Sequence, residues 1–315
     1  MTRGGGPIGV LVMAYGTPAS PDQIEAFYTD VRRGRPPSPE QLSQLISRYE
    51  AIGGTSPLAA RTAEQVAGIQ AQLDLLAPGS YSCILGTKHS EPKIEKAVAQ
   101  LATSGVTQFV GLVLAPHYSR GSVGEYVGRA TAAADSHAMS ATFVEHWHDN
   151  SVLIELLSER VGDALASLGP VGERSRDNGE LLLLVTAHSL PLRVVAEGDP
   201  YADQLRRTAE LVAARSGLER WEIGWQSAGR TPEPWLGPDI LEKLRQLPSE
   251  NARAVVVCAA GFTSDHLEVL YDLDIEARRV AEEVNVAFAR TASLNEEPRM
   301  CAALGELVVA CSERS

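Results

Sequence analysis

With 315 residues the chain has room for one large domain or two ordinary ones, each with an ample core. A hydrophobic fraction of 44% and a charged fraction of 22% suit a soluble globular protein, and a formal net charge of −12 argues against nucleic acid or an anionic membrane as the main partner. Unbroken apolar runs such as 181–185 are too short to span a bilayer and residues 1–7 lack the apolar centre of a signal peptide, so a cytoplasmic location is expected.

Apolar runs alternate with helical patterns along the whole chain. The runs at 8–14, 81–85, 109–114 and 141–144 predict strands, and so do 181–186, 221–225, 254–258 and 284–288. Between them the spacing predicts helices over 21–32, 39–51, 57–76, 92–101, 123–134 and 152–166, then over 202–215, 236–246, 265–283 and 299–310. Residues 173–179, polar and glycine-bearing, read as a loop near the middle. Strands that are apolar throughout, rather than at alternate positions, belong to parallel sheets covered on both faces. The expected architecture is α/β, with two similar doubly wound, Rossmann-like domains over residues 1–150 and 151–296. Each would hold a roughly four-stranded parallel sheet flanked by helices. A cleft is expected between the domains, with the last helix, 297–315, packed back on the first.

In such sheets ligands gather at the carboxyl ends of the strands. Those positions carry Tyr15, Lys88 and His89, His117 and Tyr118, His188, and Gln226 and Ser227. A lone strand-end histidine is more often a hydrogen-bonded structural residue than a catalyst, but several capable groups on one edge favour function.

The densest chemistry follows the run 254–260. Residues 261–276 read Gly-Phe-Thr-Ser-Asp-His-Leu-Glu-Val-Leu-Tyr-Asp-Leu-Asp-Ile-Glu, a strand–turn–helix junction that Thr263, Ser264 or Asp265 can cap. At about 100° per residue, Glu268, Asp272 and Glu276 share one stripe of the helix. Leu267, Leu270, Tyr271 and Ile275 flank it on one side, and Val269, Leu273 and Val280 on the other. Carboxylates wedged between apolar stripes are expected to be partly buried, with raised pKa unless a cation or proton arrives. Three in a row can hand on protons or a hydrated metal ion. Glu268 also has a plainer reading, as the far end of an Asp-x-x-Glu capping box begun by Asp265. On these residues alone the two readings stand level.

Other patterns carry less. The four cysteines are too scattered for a disulfide framework: Cys83 and Cys258 read as small core residues, and Cys301 and Cys311 lack the partners of a metal or iron–sulfur site. His146-Trp147-His148 reads as loop or surface, and Gly121-Ser122-Val123-Gly124 fits neither dinucleotide nor P-loop spacing. Arg32, Arg33 and Arg35 form a basic cluster that can pair with carboxylates of a ligand.

Several motifs follow one another in a telling order. They are Leu11-Val12-Met13-Ala14-Tyr15-Gly16-Thr17-Pro18, Arg48-Tyr49-Glu50-Ala51-Ile52-Gly53-Gly54-Thr55-Ser56-Pro57-Leu58 and Ala115-Pro116-His117-Tyr118-Ser119. Thr186-Ala187-His188-Ser189-Leu190-Pro191, Gly198-Asp199-Pro200-Tyr201, Trp225-Gln226-Ser227 and Trp235-Leu236-Gly237-Pro238 come next, then the 261–276 stretch and Ser293-Leu294-Asn295. This series resembles the ferrochelatases over nearly the whole chain. The amino-terminal third, with Tyr15 and Arg32-Arg33-Gly34-Arg35, is most similar to the soluble coproporphyrin III ferrochelatases of Gram-positive bacteria.

The resemblance implies a tetrapyrrole in the interdomain cleft, with His188 and Glu268 as the catalytic and metal-handling pair on one face of the ring. It implies Tyr15 on the other face as an axial ligand of the product iron, and Arg32, Arg48, Tyr49, Ser56 and Tyr126 as residues that hold propionates or line the pocket. Asp272 and Glu276 match the family's acidic ladder, which is often distorted by a widened turn. The reaction implied is insertion of Fe²⁺ into coproporphyrin III to give coprohaem in haem biosynthesis. Fe²⁺ is then a substrate, with no permanently bound cofactor. The chain's end at Ser315 leaves no cysteine extension, so no iron–sulfur cluster is expected, and no apolar membrane-docking lip is evident before Arg48. The expected partners are porphyrin and iron, with transient contact to neighbouring haem-pathway enzymes, no nucleic acid and no stable membrane insertion, for a monomer. The alternatives are a protoporphyrin IX or cobalt chelatase and, from another class, a non-catalytic haem- or porphyrin-binding protein, which has no need of an acidic ladder.

Overall fold

The structure, a computed structural model, describes residues 6–229 and 231–314. Residues 1–5, which make up most of the start read above for a leader, lie outside the described residues, as do Arg230 and Ser315. The chain separates into two compact units. One takes the chain up to Ala115, then Ser122–His146 and the stretch from Asn295 onward; the other takes Pro116–Gly121 and Trp147–Leu294.

The first unit is built on β1 (Ile8–Ala14), β2 (Tyr81–Thr87), β3 (Gln108–Val113) and β4 (Ser140–Val144), all parallel, in the order β2-β1-β3-β4. Val10, Leu11, Val12 and Met13 have no exposed surface, because β1 is paired on both edges and covered on both faces. The carboxyl-terminal helix Pro298–Ser312 packs on the helix Leu58–Leu76 within this unit. The second unit repeats the pattern with β5 (Leu181–His188), β6 (Trp221–Gln226), β7 (Ala254–Cys258) and β8 (Ala287–Arg290), in the order β6-β5-β7-β8. In both sheets the first strand lies inside and the chain reverses its direction of winding there. The carboxyl ends of β1 and β3, and of β5 and β7, are therefore the topological switch points where open sheets bind ligands.

In the second unit Leu182, Leu184, Val255 and Val257 pack against Val269, Leu273, Ala277 and Val280 of the helix that follows β7. Those four helical residues recur at spacings of four, four and three, so one face of the helix is locked into the core. The opposite flank, expected to be a second apolar stripe, is not buried in this way: Ile275 is 38% exposed.

Some boundaries differ from expectation for local reasons. Residues 173–179, expected as a loop, belong mostly to a polar helix, Gly169–Asp177, which Pro170 opens. The helix expected from 236 begins at Ile240, because Asp239 caps it through the Leu241 N–H. The last strand starts at Ala287 rather than 284, after Asn285 turns the chain at a φ of 55°. Trp147 and His148 are buried, not surface residues. All four cysteines are free, and burial pushes the Cys83 and Cys258 thiols up to about 12. Cys83 is only partly buried, whereas Cys258 is fully enclosed.

Candidate active site

In the second unit, β5 ends on His188 and the chain leaving β7 turns back beside it. Gly261 makes that approach possible: a Cβ there would lie 2.4 Å from the Ala187 Cβ, and the Gly261 N–H donates to the Thr186 carbonyl at 3.0 Å. The helix begins at Leu267, with His266 as its N-cap residue and no side-chain cap. Asp265 precedes it and accepts instead from Ser293 Oγ at 2.8 Å. Asp265 is therefore not the N-cap residue that the capping-box reading required, and the Glu268 carboxylate points elsewhere.

It points to two imidazoles. Glu268 Oε2 lies 3.7 Å from His188 Nε2 and 3.9 Å from His266 Nε2. His188 Nδ1 stands 2.5 Å from the Ser189 carbonyl and His266 Nδ1 2.9 Å from the Ser264 carbonyl. A carbonyl only accepts, so both rings carry a hydrogen on Nδ1, which leaves each Nε2 as the atom that gains or loses a proton. Burial pushes the Glu268 carboxyl up, but His188, His266 and Ser227 more than offset it and hold the group at about 2. The raised value expected of a wedged carboxylate is thus reversed by the two imidazoles and the hydroxyl beside it. Burial disfavours charge on His266, yet the hydrogen bond and charge of Glu268 outweigh it and raise its pKa.

The pair is held by a firm frame. Gln226 is buried, accepts from Thr186 Oγ1 at 3.0 Å and donates through Nε2 to the Glu268 carbonyl at 3.1 Å. The Tyr201 hydroxyl donates to the His188 carbonyl at 3.0 Å, and the Trp235 ring lies 6.5 Å from the His188 ring. Gly229 leaves the space that Trp235 fills, since a Cβ there would lie 2.4 Å from the indole. Ser227, just past β6, adopts a left-handed backbone with a φ of 59°, an uncommon state for a residue with a side chain. Its hydroxyl donates to Asp272, which is buried, and so joins the first two acidic positions of the stripe. Beyond them the helix widens over Asp272–Ala277: the Glu276 N–H bonds the Tyr271 carbonyl, five residues back, at 3.0 Å. Glu276 is half-buried on the next turn.

In the first unit, Tyr15 follows β1 and is 42% exposed, with His89 edge-on at 4.6 Å and Phe27 at 6.3 Å between ring centres. His89 is fixed by Asp30, whose carboxylate lies 2.7 Å from its Nδ1 and 2.9 Å from Lys93. Arg32 ends the helix Ile24–Val31, with its guanidinium 5.5 Å from the Tyr28 ring centre and its Nε on the Arg35 carbonyl. Arg33 is paired with Glu125 at 3.0 Å, so the basic cluster is partly neutralised. Arg48 is half-buried in the last turn of the helix Pro39–Ala51, beside Tyr49, which is buried. Ser56 is buried and its hydroxyl accepts from the Leu58 N–H at 3.2 Å, a local capping role. Tyr126 is buried under Lys88, whose ammonium lies 5.3 Å from its ring centre, and burial raises its hydroxyl pKa.

The structure thus joins His188, Glu268 and Asp272, and separately surrounds Tyr15 with Phe27 and His89. His117 does not join either group. It is buried against Thr208 Oγ1 at 2.9 Å within the second unit, and burial lowers its pKa to about 3, so it is a neutral structural residue. Ser227, named among the strand-end candidates, joins the site, whereas sequence reasoning missed His266 and Trp235 as site residues. The His-x-Glu spacing before the acidic stripe was the available signal for His266.

Comparison with known proteins completes the picture. The sequence profile of the ferrochelatase family matches residues 7–311. A coproporphyrin III ferrochelatase from Anoxybacillus flavithermus is 45% identical over 305 residues, which is 96% of this chain and 95% of that protein. One from Bacillus subtilis is 42% identical over 96% of this chain and 97% of its own length. Among solved structures, the sirohydrochlorin chelatase of Bacillus subtilis subspecies spizizenii in complex with cobalt superposes with a TM-score of 0.55 at 12% identity, covering 98% of this chain and 96% of that one.

Proposed function

Because the chain belongs to the ferrochelatase family, we propose that it inserts Fe²⁺ into coproporphyrin III to give coprohaem in haem biosynthesis. The observation that carries the chemistry is the Glu268 carboxylate set between His188 and His266 at the carboxyl ends of β5 and β7.

Two barriers oppose insertion of a metal into a free-base porphyrin. The ring is flat, so its nitrogen lone pairs do not face an incoming ion, and two pyrrole N–H protons must leave. Binding energy from the propionates, which do not react, serves to hold the ring bent. Arg32 and Arg48 are the cations assigned to propionates, with Tyr49, Ser56 and Tyr126 lining the same region, and Tyr15 is assigned as the ligand of the product iron. His188 accepts a pyrrole proton at Nε2, the atom left with a lone pair by the Nδ1–H bond to Ser189. Glu268 beside it stabilises the imidazolium that forms and serves as a second acceptor or a passing ligand, since carboxylate and imidazole both suit Fe²⁺. Asp272 and Glu276 continue the acidic line that brings metal in or takes protons out. Iron is a substrate here, and neither a resident cofactor nor an iron–sulfur cluster takes part.

The enzyme works as a monomer in the cytoplasm. No helix among the described residues is long and apolar enough to cross a membrane. The test is the variant His188→Ala, assayed anaerobically for insertion and by fluorescence quenching for porphyrin binding. Binding is retained and insertion lost if the reading holds; turnover like that of the wild type contradicts it.

A further inference from the structure

The helix that carries the acidic line is gripped on two opposite flanks. On one, Arg290, the last residue of β8, makes two parallel bonds to Asp274, Nε to Oδ1 at 2.7 Å and Nη2 to Oδ2 at 2.8 Å. The same guanidinium reaches Asp265 Oδ1 at 3.3 Å and donates from Nη1 to the Thr291 carbonyl at 2.9 Å. Asp265 precedes the helix and Asp274 lies in its wide turn, so one side chain ties together both ends of the segment that bears Glu268. On the other flank Ser227 donates to Asp272 and Gln226 to the Glu268 carbonyl. Asp272 and Asp274 are two residues apart, close to half a turn, so the ends of β6 and β8 hold the helix from opposite sides. Contacts placed that way fix how far a helix is rolled about its own axis.

The wide turn makes the roll matter. The Tyr271 carbonyl accepts from Glu276 at 3.0 Å and from Ile275 at 3.3 Å, which accommodates one extra residue in the turn. Over eight residues of ordinary α-helix the stripe drifts by roughly 80° between Glu268 and Glu276; the wide turn cancels part of that drift, and relaxation to an ordinary α-turn would restore it and skew the line. Asp274 sits inside this turn, and its fork-to-fork bond with a guanidinium that is only 13% exposed is the directional kind of contact that resists such relaxation.

We propose that Arg290 is a positioning residue for metal handling: by gripping Asp265 and Asp274 it sets the roll of the helix and keeps the turn wide, so that Glu268, Asp272 and Glu276 offer Fe²⁺ one continuous acidic line. The inference rests on the reading of Glu268 given under the proposed function. It is tested on the full chain with Arg290→Gln, Arg290→Lys, Asp274→Asn and the Arg290→Gln/Asp274→Asn double variant, with Glu268→Gln run alongside. Steady-state kinetics are taken separately against Fe²⁺ and coproporphyrin III, with circular dichroism to confirm the fold. Arg290→Gln raises the KM for Fe²⁺ roughly 10- to 100-fold, as loss of an outer support of a metal site does, and leaves the KM for porphyrin unchanged. Asp274→Asn gives the same split, the double variant is no worse than either single one, and Arg290→Lys, a point charge without the fork, recovers part of the loss. Arg290→Gln leaves two carboxylates without their cation, so if it fails to fold, Asp274→Asn carries the test. An unchanged KM for Fe²⁺ in folded variants overturns the proposal, and so does a fall in kcat with both KM values unmoved. A dead Glu268→Gln beside unaffected Arg290 and Asp274 variants removes the positioning role alone; a fully active Glu268→Gln removes the reading beneath it as well.

Discussion

His188 Nε2 lies 3.7 Å from Glu268 Oε2, although the two residues leave different strands of the sheet. That distance is short enough for the carboxylate to stabilise a proton on the imidazole, and long enough to admit a bridging atom. The Glu268→Gln variant keeps the shape but can neither take a proton nor carry the charge. Insertion should collapse while the protein stays folded, as followed by porphyrin absorbance and thermal melting. Full activity in this variant would remove Glu268 from the chemistry.

The same residue gives a pH signature. Its carboxyl is held at about 2 against an ordinary 4.5, so its contribution to stability is fully present above 4.5 and is lost as pH falls toward 2. The melting-temperature gap between wild type and Glu268→Gln should therefore narrow steadily below pH 4.5. A gap that stays constant, or widens, contradicts this assignment of the charges.

Gly261→Ala tests the frame beneath the pair. The added methyl would sit 2.4 Å from the Ala187 Cβ and 2.7 Å from its Cα, both next to His188. Overpacking of this kind costs about 1–3 kcal/mol, and here it also shifts the exit of β7 against β5. Chemical denaturation should show that loss, with turnover falling further than the folded fraction does. Unchanged stability would mean that the turn has slack.

Lys243 offers a contrast remote from the chemistry. Its ammonium is buried between Glu222 and Glu250, with Nζ–O distances of 2.7 Å to each. Both carboxylates keep contact with water, so Lys243→Met should cost about 1–3 kcal/mol in denaturant melts, less than a fully enclosed pair, with kcat and both KM values unchanged. A change in KM for either substrate would place Lys243 in the active machinery.

Arg48 bears on substrate choice. A charge-assisted contact to a propionate is worth roughly 1.5–3 kcal/mol, so Arg48→Ala should weaken coproporphyrin III binding by about one to two powers of ten. The loss should be smaller for protoporphyrin IX, which has two propionates rather than four, and smaller again at high salt. Equal losses for both porphyrins would mean that Arg48 meets a propionate the two share.

Much of this was legible in the residues. The strands announced themselves because runs such as 8–14 and 254–258 are apolar at every position, as strands of a buried parallel sheet must be. The acidic stripe was visible because Glu268, Asp272 and Glu276 recur at helical spacing. What stayed hidden depended on contacts between distant segments. Ser227 looks like any strand-end serine until the sheet order brings it to Asp272, and Arg290 looks like an ordinary charged strand end until β8 is seen to deliver it to Asp274. The polar helix Gly169–Asp177 was missed because it lacks an apolar stripe. His117 shows the converse failure, since a strand-end position in the chain proved to be a buried one in space.

The central claim is tested most directly by one anaerobic assay of the purified protein, with Fe²⁺ and either coproporphyrin III or protoporphyrin IX, followed by loss of the free-base absorption bands. Rapid conversion of coproporphyrin III to its iron complex, with a kcat/KM well above that for protoporphyrin IX, is the predicted result. Tight porphyrin binding without insertion, or a preference for protoporphyrin IX, would contradict the account.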